Sequence, residues 1–199
     1  MEIENKNRSI TGVILAGGKS HRMGQDKALL EYRGKPFIQH IAEILKGIFD
    51  KVIIISDDGE KYNFINLPIY SDIYKNCGPL AGIHAALKQN QYDIFVTSCD
   101  TPVIEKKVIQ TLLKISTEGE IFTFSINKRI EPFPGIYKFD CLNRLESEID
   151  SGNLSVQKFI KKCKSKVFPF EKYFPISKEA VLKNINTPNQ YKSLLKSDI

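Results

Sequence analysis

The sequence predicts a three-layer α/β fold with a mostly parallel central sheet. Three observations carry the prediction: short apolar runs rich in Val, Ile and aromatic residues, segments of helical period between them, and a glycine-rich turn directly after the first run. The runs at 10–15, 52–56, 69–70 and 94–98 are bounded by Gly, Asp or Pro, and near-continuous apolar strands suit a sheet covered on both faces. Between them, 37–49 places Ile38, Ile41, Ile44, Leu45 and Ile48 on one helical face, and 79–89 does the same with Leu80, Ile83, Ala86 and Leu87. Such alternation predicts parallel strands joined by right-handed crossovers, with the ligand site at their carboxyl ends.

The second half is less regular. Strands are expected at 121–126, 133–137 and 166–170 and helices at 141–149 and 156–162, as an insertion or extension that completes the substrate pocket. No Pro/Gly/Ser-rich linker, repeat or low-complexity tract divides the chain, so residues 1–199 are expected to form a single domain. A chain of 199 residues buries a core without disulfides or a structural metal.

Composition narrows the function classes. No apolar run is long enough to span a bilayer, and the polar N-terminus lacks the pattern of a secretory signal, so a cytoplasmic protein with no membrane partner is expected. Cys77, Cys99, Cys141 and Cys163 are widely spaced and form no C-x-x-C pair, which argues for reduced, structural cysteines. The net charge of +6 suits anionic ligands, yet the five lysines from Lys158 to Lys166 are equally explained by an exposed helical face. Nucleic-acid binding has no motif behind it.

The chemistry concentrates in the segment Leu15-Ala16-Gly17-Gly18-Lys19-Ser20-His21-Arg22-Met23-Gly24-Gln25-Asp26-Lys27. Its glycines let successive amide N–H groups turn toward phosphate oxygens, and Arg22 and Lys27 add full positive charges. A glycine-rich turn alone is a weak signal, because many α/β domains use one merely to pass from strand to helix. This segment matches neither G-x-x-x-x-G-K-[ST] nor G-x-G-x-x-G, so the ordinary P-loop and dinucleotide fingerprints are absent.

The run LAGGKSHRMGQDKALLEYRGKP resembles the signature of the molybdenum cofactor guanylyltransferases, within the wider superfamily of sugar-nucleotide and cofactor nucleotidyltransferases. Tyr70-Ser71-Asp72, Gly78-Pro79-Leu80-Ala81-Gly82, Ser98-Cys99-Asp100-Thr101-Pro102 and Asn184-Ile185-Asn186-Thr187-Pro188 extend the resemblance over nearly the whole chain. It implies a Rossmann-like nucleotidyltransferase fold whose N-terminal half mainly binds GTP and whose C-terminal half mainly binds the acceptor. The implied reaction transfers GMP from GTP to molybdopterin and releases pyrophosphate. Implied nucleotide contacts are Leu15, Ala16, Gly17, Gly18, Lys27 and Asp72, with Mg²⁺ on Asp100 and catalytic charge supplied by Arg22 and Lys27. Asn184 and Asn186 would align the metal or the acceptor phosphate, and 131–137 resembles the strand near the acceptor. A shared pathway further implies transient contacts with other proteins of molybdenum cofactor biosynthesis.

Two carboxylates also carry independent arguments. Asp100 follows an apolar strand and projects at its carboxyl end, where a hard oxygen ligand suits Mg²⁺; capping of a following helix is the structural alternative. Asp72 can accept hydrogen bonds from guanine N–H groups or a ribose hydroxyl, or simply close a turn. His21 and His40 are assigned packing or exposed roles, since a phosphate nucleophile is already anionic. A cytidylyl or sugar-nucleotide transferase, and a non-catalytic GTP-binding module, stand as competing functions.

Overall fold

A computed structural model of the chain describes residues 10–17, 26–175, 182–185 and 187–196. Seven strands form its main sheet: β1 (Ile10–Leu15), β4 (Val52–Ile55), β5 (Ile69–Tyr70), β6 (Asp93–Ser98), β8 (Ile121–Ile126), β9 (Arg129–Tyr137) and β10 (Ser165–Pro169). Their spatial order is β10-β8-β9-β6-β1-β4-β5. Within this sheet β9 alone runs against its neighbours, pairing antiparallel with both β6 and β8, while the other neighbouring pairs are parallel. Two small antiparallel pairs lie apart from it, β2 (Glu31–Tyr32) with β3 (Lys35–Pro36), and β7 (Val103–Ile104) with β11 (Leu182–Lys183).

Strand alternation divides the apolar side chains between two cores. Ile14, Ile54 and Phe95 pack on one face with α1 (Phe37–Lys46), α3 (Lys106–Ile115) and α6 (Phe170–Tyr173). Val13, Leu15, Ile53, Ile55, Ile94 and Val96 pack on the other with α2 (Pro79–Asn90), α4 (Leu142–Asp150) and α5 (Val156–Lys162). This is the three-layer arrangement expected from near-continuous apolar strands. A third cluster joins Leu30, Tyr32 and Phe37 to Ile185 and to Leu194 of α7 (Pro188–Lys196). The start of α7 is fixed by a capping box in which Thr187 Oγ1 accepts from Gln190 N at 3.2 Å and Gln190 Oε1 accepts from Thr187 N at 3.0 Å.

Several expectations change here. Of the insertion or extension expected for the second half, the structure shows an extension: β9 pairs directly with β6 and β8–β10 continue the main sheet. β9 begins at Arg129, not 133, because Asn127 and Lys128 both take positive φ (49° and 64°) and close a tight hairpin with β8. α1 ends at Lys46, where Gly47 caps it, short of the expected 49. Helix α3 had no sequence-based expectation, although Val108, Ile109 and Leu112 recur at helical spacing and are all fully buried. The lysines from Lys158 to Lys166 are all exposed, as a solvated face requires. No helix among the described residues is long and apolar enough to cross a membrane.

Candidate functional site

The carboxyl ends of β1, β4, β5 and β6 open on a cleft of ≈ 700 Å³. Leu15, Ala16, Gly17 and Lys27 line it from the first loop, Asp72 from the turn after β5, and Asp100 from the turn after β6. Positions 85 residues apart in sequence thus meet because parallel strands all deliver their C-terminal turns to one side of the sheet. The β1 turn is held by its neighbours, with Ala16 N donating to Ile55 O at 2.9 Å and Cys99 N donating to Leu15 O at 3.0 Å.

Asp26 anchors the far end of this loop. Its Oδ1 accepts from Ala28 N at 3.0 Å, which caps a short 3₁₀ turn at Lys27–Leu29 and so fixes the backbone that carries Lys27. Its Oδ2 accepts from the buried Tyr62 hydroxyl at 2.8 Å and from Lys61 Nζ at 2.6 Å. Burial alone would raise the Asp26 pKa, but the hydrogen bonds from Lys61, Tyr62 and Ala28 outweigh it and hold the group below its ordinary 3.8. A depressed carboxylate stabilises the folded state above its unfolded pKa, and this anchoring is lost as pH falls through the lower, folded value.

Asp100 is fixed from two sides. Its Oδ1 accepts from the Ser98 hydroxyl and lies 3.2 Å from Thr101 Oγ1. Thr101 Oγ1 is also 3.1 Å from Asn184 Oδ1, so its single proton serves one acceptor at a time. The backbone closes the same link, with Ile185 N donating to Asp100 O at 2.7 Å. Capping of the next helix is excluded, because α3 begins at Lys106 with Glu105 before it and β7 intervenes.

Asp72 sits against the sheet side of α2. A Cβ on Gly82 would meet Leu15 Cδ2 at 2.9 Å and Asp72 Oδ1 at 3.6 Å, so glycine there lets the helix approach both. Asp72 N donates to Asp57 Oδ1 at 3.1 Å, and Lys75 Nζ donates to the same oxygen at 2.6 Å. Burial first, and the Asp57 charge second, push the Asp72 carboxyl above its ordinary value, while Lys75 and His84 pull the other way.

Four aspartates, at 57, 58, 72 and 100, face this cleft against Lys27 and Lys61 among the described residues, and Lys61 is shared between Asp26 and Asp58. A cation carried with a polyphosphate would offset this acidic excess among the described residues. No group of three or more metal-ligating side chains exists among the described residues. A strand-end carboxylate such as Asp100 fits a hard divalent cation, of the kind that takes one or two carboxylates and completes its shell with phosphate oxygens and water.

Gly18 and Arg22, together with His21 and Asn186, lie outside the described residues. His40 is structural, its Nε2 2.5 Å from Tyr32 O. The four cysteines are free, and burial pushes the cleft-lining Cys99 up to about 12, so it stays a thiol. Sequence reasoning missed Asp57, Asp58, Lys61, Tyr62 and Asn76. Asp57-Asp58 directly follow an apolar strand, the same positional signal that singled out Asp100; Lys61 and Tyr62 reach the loop from a separate 3₁₀ segment and carry no local signal.

Residues 12–167 match the family described as the MobA-like NTP transferase domain. A probable molybdenum cofactor guanylyltransferase of Clostridium perfringens is 37% identical over 191 residues, covering 94% of this chain and 96% of its own. The structure of molybdopterin-guanine dinucleotide biosynthesis protein A from Archaeoglobus fulgidus superimposes with a TM-score of 0.80 at 23% identity, over 95% of this chain and 100% of its own. A more distant fold neighbour from Mycobacterium tuberculosis, solved as a manganese complex, gives a TM-score of 0.65 at 16% identity, over 95% of this chain and 99% of its own. The chain belongs to the MobA-like NTP transferase domain family.

Proposed function

We propose that this protein transfers GMP from GTP to the terminal phosphate of molybdopterin, forming the guanine dinucleotide cofactor and releasing pyrophosphate. The observation that carries the reading is the convergence of the β1 loop, Lys27, Asp72 and Asp100 on one cleft at the strand ends. Family membership and the guanylyltransferase relative support the choice of donor and acceptor. In this reading the N-terminal half holds GTP, and the C-terminal half turns the acceptor toward it.

The Gly17 amide, with Gly18 next in sequence, would approach the phosphates from a turn held by Leu15 and Ala16, and Lys27 would neutralise charge that gathers on the transferring and leaving groups. Arg22, on the same loop, adds a second cation. Asp100 would hold Mg²⁺, which would supply charge neutralisation at the phosphates. Ser98 and Thr101 keep the Asp100 carboxylate oriented, and the Asn184–Ile185 segment fixes its backbone. An oxygen of the acceptor phosphate bonds to the α-phosphorus while the bond from that phosphorus to its bridging oxygen breaks. Pyrophosphate departs with the electron pair. The acceptor phosphate arrives as an anion, so catalysis reduces to positioning and charge stabilisation.

Asp72 reads guanine N–H groups or the ribose. The deciding experiment incubates the purified protein with molybdopterin, Mg²⁺ and GTP, CTP or ATP in turn, identifying the product and measuring pyrophosphate. GTP alone is expected to give a dinucleotide. Equal use of CTP or ATP overturns the guanylyl assignment, and GTP binding without pyrophosphate release identifies a non-catalytic module.

A further inference from the structure

The β8–β9 pairing contains an interruption that the reaction described above does not use. Thr123 pairs with Gly135, yet the next residue, Phe124, pairs with Glu131, so Pro132, Phe133 and Pro134 have no partner on β8. A bulge of this kind bends a strand and re-aims a side chain. Phe133 lies within this interruption; partly buried, it packs against the core under α2, α4 and α5 and also lines the cleft that holds Asp100.

The bulge is built, not loose. The buried Thr123 hydroxyl faces both of its ends, in hydrogen-bond contact with Glu131 O and 3.1 Å from Pro134 O. The Tyr137 hydroxyl, on a fully buried ring, donates to Pro132 O at 2.9 Å. Gln157 Nε2 of α5 donates to Ile130 O at 2.7 Å, holding the strand just before the bulge. Gly135 is required for the close return, since a Cβ there would lie 2.6 Å from Pro132 O and 3.0 Å from Tyr137 Cε2.

Topology says which part of the reaction this aromatic side chain serves. Across the sheet the strands follow the order β9, β6, β1, β4, β5. Residues at their site-facing ends therefore come in the order Phe133, Asp100, Ala16, Asp57, Asp72. Antiparallel β9 reaches this side with its N-terminal part, and its pairing with β6 runs as far as Val96–Gly135, two residues short of Ser98 on one strand and of Phe133 on the other. At ~4.8 Å per strand, Phe133 stands roughly four spacings, or about 19 Å, from the Asp72 edge. A nucleotide with its base or ribose at Asp72 and its phosphates at the β1 loop brings the α-phosphorus to Asp100. What lies beyond Asp100 is the acceptor.

We infer that Phe133 is the apolar platform for the flat ring part of the acceptor, positioned by the Thr123 hydroxyl across the bulge. The inference rests on the guanylyltransferase reading for the identity of the acceptor. A phenyl face of this kind recognises a ring by stacking and sets the acceptor's affinity without contacting the nucleotide.

Steady-state transfer with each substrate varied tests this in the full chain, with circular dichroism as the check on folding. Phe133→Ala is expected to raise the KM for the acceptor about tenfold, the scale of one lost stacking contact, while the KM for GTP stays within about twofold. Phe133→Tyr keeps the ring face and retains acceptor affinity. Thr123→Val raises the acceptor KM in the same selective way, Thr123→Ser restores it, and the Phe133→Ala/Thr123→Val double variant is no worse than Phe133→Ala. Phe133→Leu, which keeps apolar volume but not the ring face, gives the same test if the alanine variant does not fold. An unchanged acceptor KM in folded Phe133→Ala or Phe133→Leu overturns the platform, and an equal rise in both KM values makes Phe133 part of the nucleotide site instead. Failure of the wild-type protein to transfer GMP is a different result and overturns the functional reading.

Discussion

The two flanks of the cleft are built by strands that run in opposite directions. On one side, β1, β4, β5 and β6 are parallel, and each ends in a short turn that carries a polar group to the site. On the other side, β9 runs antiparallel and contributes Phe133 from a bulge inside the strand, not from a turn at its end. Parallel strands make functional positions predictable from sequence, because the residue after an apolar run is the one delivered. An antiparallel strand delivers nothing by that rule, and its contribution depends on where its pairing is interrupted.

The largest expected effect tests the rule for parallel strands at its centre. Asp100→Asn removes the anionic ligand while leaving Oδ1 able to accept from Ser98 and Thr101, so the fold is retained and transfer falls by at least about a hundredfold. A folded variant with wild-type turnover and an unchanged Mg²⁺ titration would reject the metal assignment. It would also show that a strand-end carboxylate does not identify the ion site.

A smaller effect separates the anchored loop from the exposed cations of the C-terminal half. Lys27→Ala is expected to weaken GTP binding about tenfold and to slow transfer, the scale of a hydrogen bond to a charged group. Lys158→Ala, on the exposed face of α5, should leave GTP affinity within about twofold. Equal losses at fixed ionic strength would favour a diffuse electrostatic effect over a specific phosphate contact.

The smallest effect lies at the edge of the sheet, on Asp72. Because its folded pKa is raised above the ordinary 3.8, its favourable contribution exists below that value and is lost as pH rises through the folded pKa. At neutral pH its carboxylate therefore does not favour the fold, and Asp72→Asn should leave Tm unchanged or slightly higher while lowering activity. Loss of discrimination between GTP and inosine triphosphate in that variant assigns Asp72 to the base. A parallel weakening of both assigns it to the ribose.

Much of the parallel side was legible because its signals are local. β1 has the expected limits, α1 buries Ile38, Ile41 and Leu45 of its expected face, α2 buries Leu80, Ile83, Ala86 and Leu87 along with most of its other residues, and each described loop residue singled out beforehand lines the cleft. The parts that escaped are those whose cause is a distant partner. Asp26 reads as an unremarked residue beside Lys27, but Tyr62 and Lys61 make it the anchor of the loop. β9 reads as five apolar residues, yet the hairpin turn at Asn127–Lys128 extends it and Thr123 defines its bulge.

The sequence by itself determined the layered α/β class, the covered sheet and the glycine-rich loop at the end of β1, since periodicity and turn chemistry act over a few residues. Tertiary structure alone decided that the second half continues the same sheet, because strand order and direction depend on which hydrogen-bonding edges meet. It also decided how the Asn184–Ile185 segment braces Asp100 and how a bulge brings Phe133 to the cleft. Those contacts join residues far apart in the chain, and no local pattern encodes the closure that brings them together.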